Sequence, residues 1–193
     1  MNILWDFDGT LFDTYPVFAK ILKQVIEKDD VSEEEIYTQT KISFKHAFKF
    51  FDLGDAQVNQ FILLANQLPA DEFKPFSGVE EVLMHANKNV IMTHSGRTEV
   101  LKTLQAYGWE GYFCDIVTGD DGYPRKPHAA SYEYLHQKHR IDLVIGDRMI
   151  DIIPGKTLGI QTCLFQNKEP GADYYLSTYQ DFFKIIFGLQ VDR

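Results

Sequence analysis

Short apolar runs alternate with stretches of helical periodicity along most of the chain. Five runs predict buried strands, namely Asn2–Phe7, Asn89–Thr93, Phe113–Val117, Leu143–Ile145 and Gly159–Phe165. Helical spacing of apolar residues marks the segments between them, including Val17–Ile26, Ser131–Lys138, Met149–Leu158 and a last helix reaching Leu189. Serines precede three helices and are their predicted N-caps: Ser77, Ser95 and Ser177. Strands that alternate with helices predict an α/β fold with a parallel sheet.

A block of four predicted helices separates the first strand from the second. Ser32 with Glu35 predicts the start of one helix, and Asp55 predicts the start of another. The block is too long for one crossover connection, so we interpret it as a domain inserted at the carboxyl edge of the sheet. Ligands bind open parallel sheets at that edge. The predicted division is an α/β core of residues 1–14 and 76–193 and a helical cap domain of residues 15–75.

Composition narrows the class of protein. The chain has 193 residues, 45% hydrophobic and 24% charged, which is typical of a globular domain. A net charge of −9 argues against nucleic acid as a partner. The first residues do not resemble a signal peptide, and no apolar run is long enough for a membrane span, so we expect a cytoplasmic protein without a membrane partner. The expected assembly is a monomer or a weak dimer.

Two cysteines, Cys114 and Cys163, are too few for a disulfide framework or a cysteine-rich zinc site. A phosphate site on so acidic a chain needs local positive charge from a metal ion, a lysine or backbone N–H groups. These limits direct attention to polar residues at the predicted strand ends.

Two carboxylates stand at the end of the first predicted strand. Asp6 and Asp8 are two residues apart, so their side chains can point to the same side. Carboxylates held close together repel each other unless a cation or a proton lies between them. Mg²⁺ is the natural cation, because it prefers oxygen ligands and retains water for a phosphate substrate. The alternative is an aspartate-rich turn that simply ends a strand.

Three further polar groups follow later strands. Thr93 can hold phosphate oxygens or cap a helix. Lys126, before Pro127, can place a positive charge on a phosphoryl group, or it can be a solvated lysine in a proline turn. Asp147 and Asp151 can complete an oxygen shell around a metal ion, or they can be acids at a helix N-terminus.

Together and in this order, these residues resemble the four motifs of the haloacid dehalogenase-like superfamily. The first motif is the segment of residues 6–13, and the fourth runs from Gly146 to Asp151. The inserted helices resemble the small helical cap of the phosphoglycolate phosphatase and β-phosphoglucomutase branch. The resemblance implies a Rossmann-like parallel-sheet core with an inserted all-helical cap domain.

The resemblance also implies catalytic roles. Asp6 is then the nucleophile that attacks phosphorus, and Asp8 protonates the leaving oxygen and later activates water. Thr93 and Lys126 hold the phosphoryl oxygens. His94 stands where many members have asparagine; its backbone N–H can still bind substrate, and we do not interpret its ring as a base.

The implied metal ion is Mg²⁺. Its ligands are Asp6, the backbone carbonyl of Asp8, and Asp147, whereas Asp151 supports the metal shell or Lys126. A carboxylate attacks a charged phosphate poorly until metal and lysine neutralise that charge.

The cap offers candidate substrate-reading residues. In the related branch a loop of the cap reads the substrate, and Lys41, Ser43 or Lys45 can have that role here. Lys41 and Lys45 are i,i+4 neighbours if their segment is helical. The alternative is a stripe of solvated lysines on a helix.

The function that the resemblance implies is magnesium-dependent hydrolysis of a small phosphorylated metabolite, of the phosphoglycolate or sugar-phosphate type, through an aspartyl-phosphate. The first alternative is a phosphomutase of the β-phosphoglucomutase type, which must keep water from its aspartyl-phosphate. The second is a metal- or phosphate-binding protein without catalysis. Asp8 argues against a dehalogenase, because the dehalogenase members lack an acid at this place.

Overall fold

The computed structural model describes residues 1–26, 28 and 30–188. It divides into two compact units, which we call the core unit, Met1–Phe12 with Pro75–Arg193, and the helical unit, Asp13–Lys74. The predicted place of Leu189 on the last helix lies outside the described residues.

The strands are β1 (Asn2–Trp5), β2 (Phe12–Asp13), β3 (Lys74–Pro75), β4 (Lys88–Met92), β5 (Phe113–Val117), β6 (Leu143–Gly146), β7 (Gln161–Phe165) and β8 (Tyr174–Leu176). The helices are α1 (Tyr15–Ile26), α2 (Glu33–Ile42), α3 (Phe44–Phe50), α4 (Asp55–Asn66), α5 (Val79–His85), α6 (Arg97–Ala106), α7 (Ala130–His139), α8 (Met149–Thr157) and α9 (Phe182–Phe187).

The main sheet has six strands in the order β5-β4-β1-β6-β7-β8, and each of its strand pairs is parallel. This confirms the predicted α/β fold with a parallel sheet. Strand β1 lies in the interior of the sheet, with Ile3 paired to Asn89 of β4 on one side and to Leu143 of β6 on the other. The segments that follow β1, β4 and β6 therefore meet at one edge of the sheet.

A buried apolar cluster fixes this part of the sheet. Leu4, Val90 and Val144 belong to three neighbouring strands and form a cluster with Tyr132 and Leu135 of α7, all fully buried. Each such side chain stabilises the fold by about 1.5–3 kcal/mol relative to exposure. The strand ends that carry the polar residues are thus attached to a rigid base.

Several predicted helix starts are wrong. The N-caps of α4, α5, α6 and α9 are Gly54, Gly78, Gly96 and Asp181, whereas Asp55, Ser77, Ser95 and Ser177 were expected. Ser77 and Ser95 instead bond to distant side chains, the first accepting from Gln180 and the second donating to Asp8. The Ser32 cap is confirmed, because its hydroxyl accepts a hydrogen bond from the Glu35 N–H at 3.1 Å.

The helical unit contains α1 to α4 around an aromatic cluster. The ring of Phe18 on α1 lies 5.1 Å from that of Phe73 and 6.2 Å from that of Phe61. Helix α2 ends and helix α3 begins at Ser43, which is the C-cap of the first and the N-cap of the second. Lys41 and Lys45 consequently lie on different helices. The i,i+4 pair, which was expected only if this segment were a single helix, does not form.

Candidate active site

Asp6 and Lys126 form the buried centre of the candidate site. Asp6 follows β1, and its N–H continues the sheet ladder by donating to the Ile145 carbonyl at 2.9 Å. The Lys126 ammonium donates to Asp6 Oδ1 at 2.5 Å and to Asp151 Oδ1 at 2.8 Å. All three side chains are almost entirely buried. One cation thus bridges two carboxylates that come from distant parts of the sequence.

Burial and charge act in opposite directions on these groups. Burial and the Asp151 carboxylate raise the pKa of Asp6 to about 6, although Lys126 opposes the shift. Burial also opposes ionisation of Asp151, but Lys126 and Arg148 outweigh it and lower its pKa. Burial lowers the pKa of Lys126, and the two carboxylates reverse this effect and hold it above the ordinary value. Lys126 is therefore charged at neutral pH.

The side chains of Asp6, Asp147 and Asp151 form an acidic cluster that fits a divalent cation. Each offers one oxygen, and these oxygens lie within 4.8 Å of one another. Asp6 Oδ2 is buried and has no hydrogen-bond partner among the described residues. Carboxylates at this spacing repel one another unless a cation lies between them, and hard divalent cations prefer carboxylate oxygens as ligands. The donor set therefore fits a divalent cation that prefers oxygen ligands.

The turn after β6 permits the close approach of these carboxylates. A Cβ on Gly146 would lie 2.3 Å from the Cβ of Asp151, so only glycine leaves room for that side chain. Asp151 Oδ2 accepts from the Arg148 N–H at 3.0 Å and so caps α8. The carbonyl of Asp147 accepts from the Asn167 side chain at 2.8 Å. Hydrogen bonds thus hold the Asp151 carboxylate and the Asp147 backbone in place.

Asp8 takes a different direction from Asp6. The chain turns at Gly9, which has a φ of 74°, and the Gly9 N–H donates to the Phe12 carbonyl at 2.8 Å. The Asp8 carboxylate accepts a hydrogen bond from the Ser95 hydroxyl at 2.5 Å. It is not one of the three side chains in the acidic cluster. The Asp8 side chain therefore bonds to the loop after β4, and the expected role of its backbone carbonyl as a metal ligand stays a prediction.

The loop after β4 reaches three parts of the site. Thr93 is buried, its N–H donates to the Val117 carbonyl at 3.0 Å, and its hydroxyl accepts from the Ser95 N–H at 3.1 Å. The His94 ring accepts a hydrogen bond from the Lys126 N–H at 2.9 Å. Three consecutive residues therefore connect to the sheet, to the lysine loop and to Asp8.

Glu99 adds a carboxyl group near Asp8. It lies in the first turn of α6, four residues after Ser95, and its Oε1 is buried without a hydrogen-bond partner in the described part of the chain. Burial and the charge of Asp8 raise the pKa of Glu99 to about 8. Glu99 is therefore mostly protonated at neutral pH.

The candidate substrate-reading residues lie in the helical unit. The Lys41 ammonium is 5.6 Å from the ring centre of Tyr15 and 5.8 Å from that of Tyr37, a cation–π arrangement. The Ser43 hydroxyl accepts from the His46 N–H at 3.0 Å and caps α3. Lys41 is thus held in place by aromatic rings of its own unit.

Sequence reasoning missed the contacts of Ser95, the His94 ring and Glu99. Ser95 was expected to cap a helix, which is the commoner role of a serine at such a position. The usable signal was the glycine at position 96, because Gly96 can itself be the N-cap and thereby frees the serine hydroxyl. No comparable local signal marks the His94 ring or Glu99.

None of the helices in the described ranges has the length and apolar character that a membrane span requires.

The parallel core, with a buried lysine and three carboxylates where β1 and β6 end, defines an α/β enzyme fold with its site at the carboxyl edge of the sheet. The chain belongs to the haloacid dehalogenase-like hydrolase family, whose sequence model matches residues 3–165, and it is a hydrolase.

Named relatives match most of the chain, and a solved structure has the same fold. The chain is 26% identical over 194 residues to pyrophosphatase PpaX of Halalkalibacterium halodurans, covering 90% of this chain and 86% of that protein. It is 23% identical over 181 residues to phosphoglycolate phosphatase of Vibrio parahaemolyticus, covering 81% and 79% respectively. A haloacid dehalogenase-like hydrolase from Streptococcus pneumoniae shares the fold with a TM-score of 0.77, at 15% identity over 94% of this chain and 96% of that one.

Proposed function

We propose that this protein is a magnesium-dependent phosphatase that hydrolyses a small phosphate ester through an aspartyl-phosphate on Asp6. The observation that carries the proposal is the Asp6 carboxylate, which has one oxygen bonded to Lys126 and the other buried without a partner among the described residues. The bond to Lys126 orients this carboxylate for attack. A phosphoryl group whose negative charge is neutralised is the reactant that it needs. Two of the relatives are named as a phosphoglycolate phosphatase and a pyrophosphatase, which supports hydrolysis of a phosphate group as the reaction.

In the first half-reaction, one carboxylate oxygen of Asp6 attacks phosphorus and the bond from phosphorus to the leaving oxygen breaks. Asp8, protonated in this step, gives its proton to the leaving oxygen, which departs as an alcohol. In the second half-reaction, the Asp8 carboxylate takes a proton from water as that water attacks phosphorus. The bond between Asp6 and phosphorus then breaks, and inorganic phosphate leaves with both side chains restored.

Positive charge and donors at the site belong to Lys126 and the loop after β4. The Lys126 ammonium lies against the nucleophile and holds a phosphoryl oxygen, with Thr93 and the His94 N–H as further donors. Mg²⁺ would be held by Asp6, the Asp8 carbonyl and Asp147, with Asp151 in support, and when bound it supplies charge neutralisation for the phosphoryl group.

The substrate class is a small metabolite with a phosphoryl group and a second polar end, of the phosphoglycolate or sugar-phosphate type. This follows from the relatives' names and from the inserted helical unit, for which we propose the role of a cap. We propose that Lys41 and Ser43 contact the polar end of the substrate. A lysine held by two tyrosine rings is restrained, which reduces the entropy lost when it binds an anion.

A panel of phosphate compounds tests the proposed function. Purified protein should release phosphate from an aryl phosphate and from at least one of phosphoglycolate, pyrophosphate and short sugar phosphates. Release should require Mg²⁺ and stop on addition of a chelator. Rearrangement of a sugar phosphate that needs a bisphosphate primer and gives little free phosphate would instead favour the mutase. Binding of Mg²⁺ without turnover of any compound would contradict both.

Ser95→Ala should impair proton transfer by Asp8. The variant loses the hydroxyl that donates to Asp8 at 2.5 Å, so the carboxyl group is no longer held in one orientation. We expect kcat to fall by about tenfold, within the range that general acid–base catalysis contributes. A series of aryl phosphates measures this effect, and the loss should be largest for poor leaving groups, which need protonation most. Ser95→Thr keeps a hydroxyl and should retain most activity. A loss equal for all leaving groups would contradict the assignment.

A further inference from the structure

The His94 imidazole lies between the loop after β4 and the loop that carries Lys126. Its Nε2 accepts a hydrogen bond from the Lys126 backbone N–H at 2.9 Å. A backbone N–H can only donate, so Nε2 is unprotonated and the ring proton is on Nδ1. This bond joins residues 32 positions apart in the sequence. It joins the backbone at Lys126 directly to the loop that holds Thr93.

The His94 ring is uncharged, so it can accept the hydrogen bond from the Lys126 N–H throughout the neutral pH range. Burial, followed by the positive charge of Lys126, lowers the pKa of His94 to about 3. The ring is therefore neutral across the pH range in which a phosphatase of this kind is assayed. A group in this state does not exchange protons with substrate at neutral pH, and its available chemistry is hydrogen bonding.

The backbone of His94 is seated firmly on its other side. A Cβ on Gly119 would lie 2.5 Å from the His94 carbonyl oxygen, so this contact requires glycine. The Gly119 N–H donates to the Ser95 carbonyl at 3.0 Å, and the Thr93 N–H donates to the Val117 carbonyl at 3.0 Å. The imidazole is thus attached to a rigid part of the sheet edge.

Lys126, by contrast, lies in a segment without helix or strand. Residues 122–125 have no regular secondary structure, and Pro124 and Pro127 contribute no backbone N–H. The bond to His94 therefore fixes the backbone from which the buried ammonium reaches Asp6 and Asp151. We propose that His94 is a positioning residue that sets the location of Lys126 through its backbone. The inference rests on the proposed phosphatase function, in which Lys126 holds the phosphoryl group.

His94→Leu and His94→Gln test this proposal as a pair. Leucine fills the space but cannot accept the Lys126 N–H, whereas the glutamine carbonyl oxygen can. Because a displacement of about 1 Å can cost on the order of a hundredfold in rate, we expect kcat of the leucine variant to fall by about ten- to a hundredfold. KM should change by less than about threefold, and the glutamine variant should recover most of kcat. His85→Leu, an exposed histidine of α5, should leave both constants unchanged.

A second measurement does not depend on activity. Hydrogen exchange of the Lys126 amide, followed by NMR in metal-free protein, should be faster in His94→Leu than in wild type, and slow again in His94→Gln. Exchange at the Thr93 amide, which bonds to Val117, should be the same in all three. Unchanged Lys126 exchange in the leucine variant, or equal loss of kcat in both variants, would overturn the positioning role. A wild-type protein that releases no phosphate would instead defeat the proposed function, and the exchange result would stand alone.

Discussion

Asp6→Asn should abolish phosphate release, by about three orders of magnitude or more, while the protein remains folded. The asparagine side chain has nearly the same shape, and its oxygen can still accept the hydrogen bond from Lys126. It cannot form the aspartyl-phosphate, so the reaction loses its covalent route. Initial rates on the best compound of the panel, with Mg²⁺ present, measure the loss. Retention of more than about a tenth of wild-type kcat would show that the nucleophile is a different group.

Asp6→Asn should lower activity without lowering the stability of the metal-free fold. Burial raises the pKa of Asp6 from 3.8 to about 6, so the folded state binds this proton more tightly than the unfolded chain does. Wild type therefore loses stability as pH rises from about 4 to about 6, and this loss persists at neutral pH. Asparagine has no such proton. Metal-free Asp6→Asn should accordingly be at least as stable as wild type near neutral pH.

With Mg²⁺ present, wild type should become more stable than Asp6→Asn. A cation that binds only the folded state raises Tm in proportion to the logarithm of its concentration above Kd. Wild type should show this rise, and Asp6→Asn should show a smaller one because a charged ligand is lost. Thermal unfolding of both proteins, with Mg²⁺ and with chelator, separates a lost nucleophile from a damaged fold. Equal Mg²⁺ shifts in the two proteins would place the metal away from Asp6.

The sequence pattern predicts the sheet well because buried parallel strands are continuous apolar runs. It also places Asp6, Thr93 and Asp147 directly after strands, which is a local property. It does not give the strand order, and it is this order, with β1 between β4 and β6, that brings the three residues to neighbouring positions at one edge. Strand β8 was missed because it has only three residues and lies at the edge of the sheet.

The failures share a physical cause. A serine before a helix has a local reason to cap it, and the sequence carries no sign of a stronger distant partner. Ser95 bonds to Asp8, which is 87 positions away, and Ser77 bonds to Gln180, which is 103 positions away. The His94 ring and the Lys126 N–H are another such pair. The connections that orient the candidate site are tertiary, and only the structure supplies them.

Lys126→Met should destabilise the protein more than any other single change at the site. The variant removes the cation that bridges Asp6 and Asp151 and leaves both carboxylates buried beside Asp147. Loss of one partner of a buried ion pair costs about 3–5 kcal/mol. For a chain of this size that corresponds to a fall in Tm of roughly 6–20 °C. Urea unfolding of metal-free protein measures the change.

The defect of Lys126→Met should depend on pH. In wild type, Lys126 helps to lower the pKa of Asp151, so this pair contributes stability above the ordinary carboxyl pKa. Without the lysine that contribution is lost, and carboxyl pKa values in the cluster rise. The difference between variant and wild type should be largest near about pH 8 and should shrink toward about pH 5, as the carboxyl groups take up protons. Mg²⁺ should restore part of the stability by replacing the missing charge.

A double variant distinguishes charge from packing. Asp6→Asn combined with Lys126→Met removes one negative and one positive charge, so the remaining site keeps the net charge of wild type. It should be more stable than Lys126→Met alone, because one of the two carboxylates that lost their cation is gone, and it should remain inactive. Lys138→Met breaks an exposed ion pair of similar length, 2.9 Å to Asp115, and should have only a small effect. If Lys126→Met were as mild as Lys138→Met, the buried acids would not depend on this lysine for their charge balance.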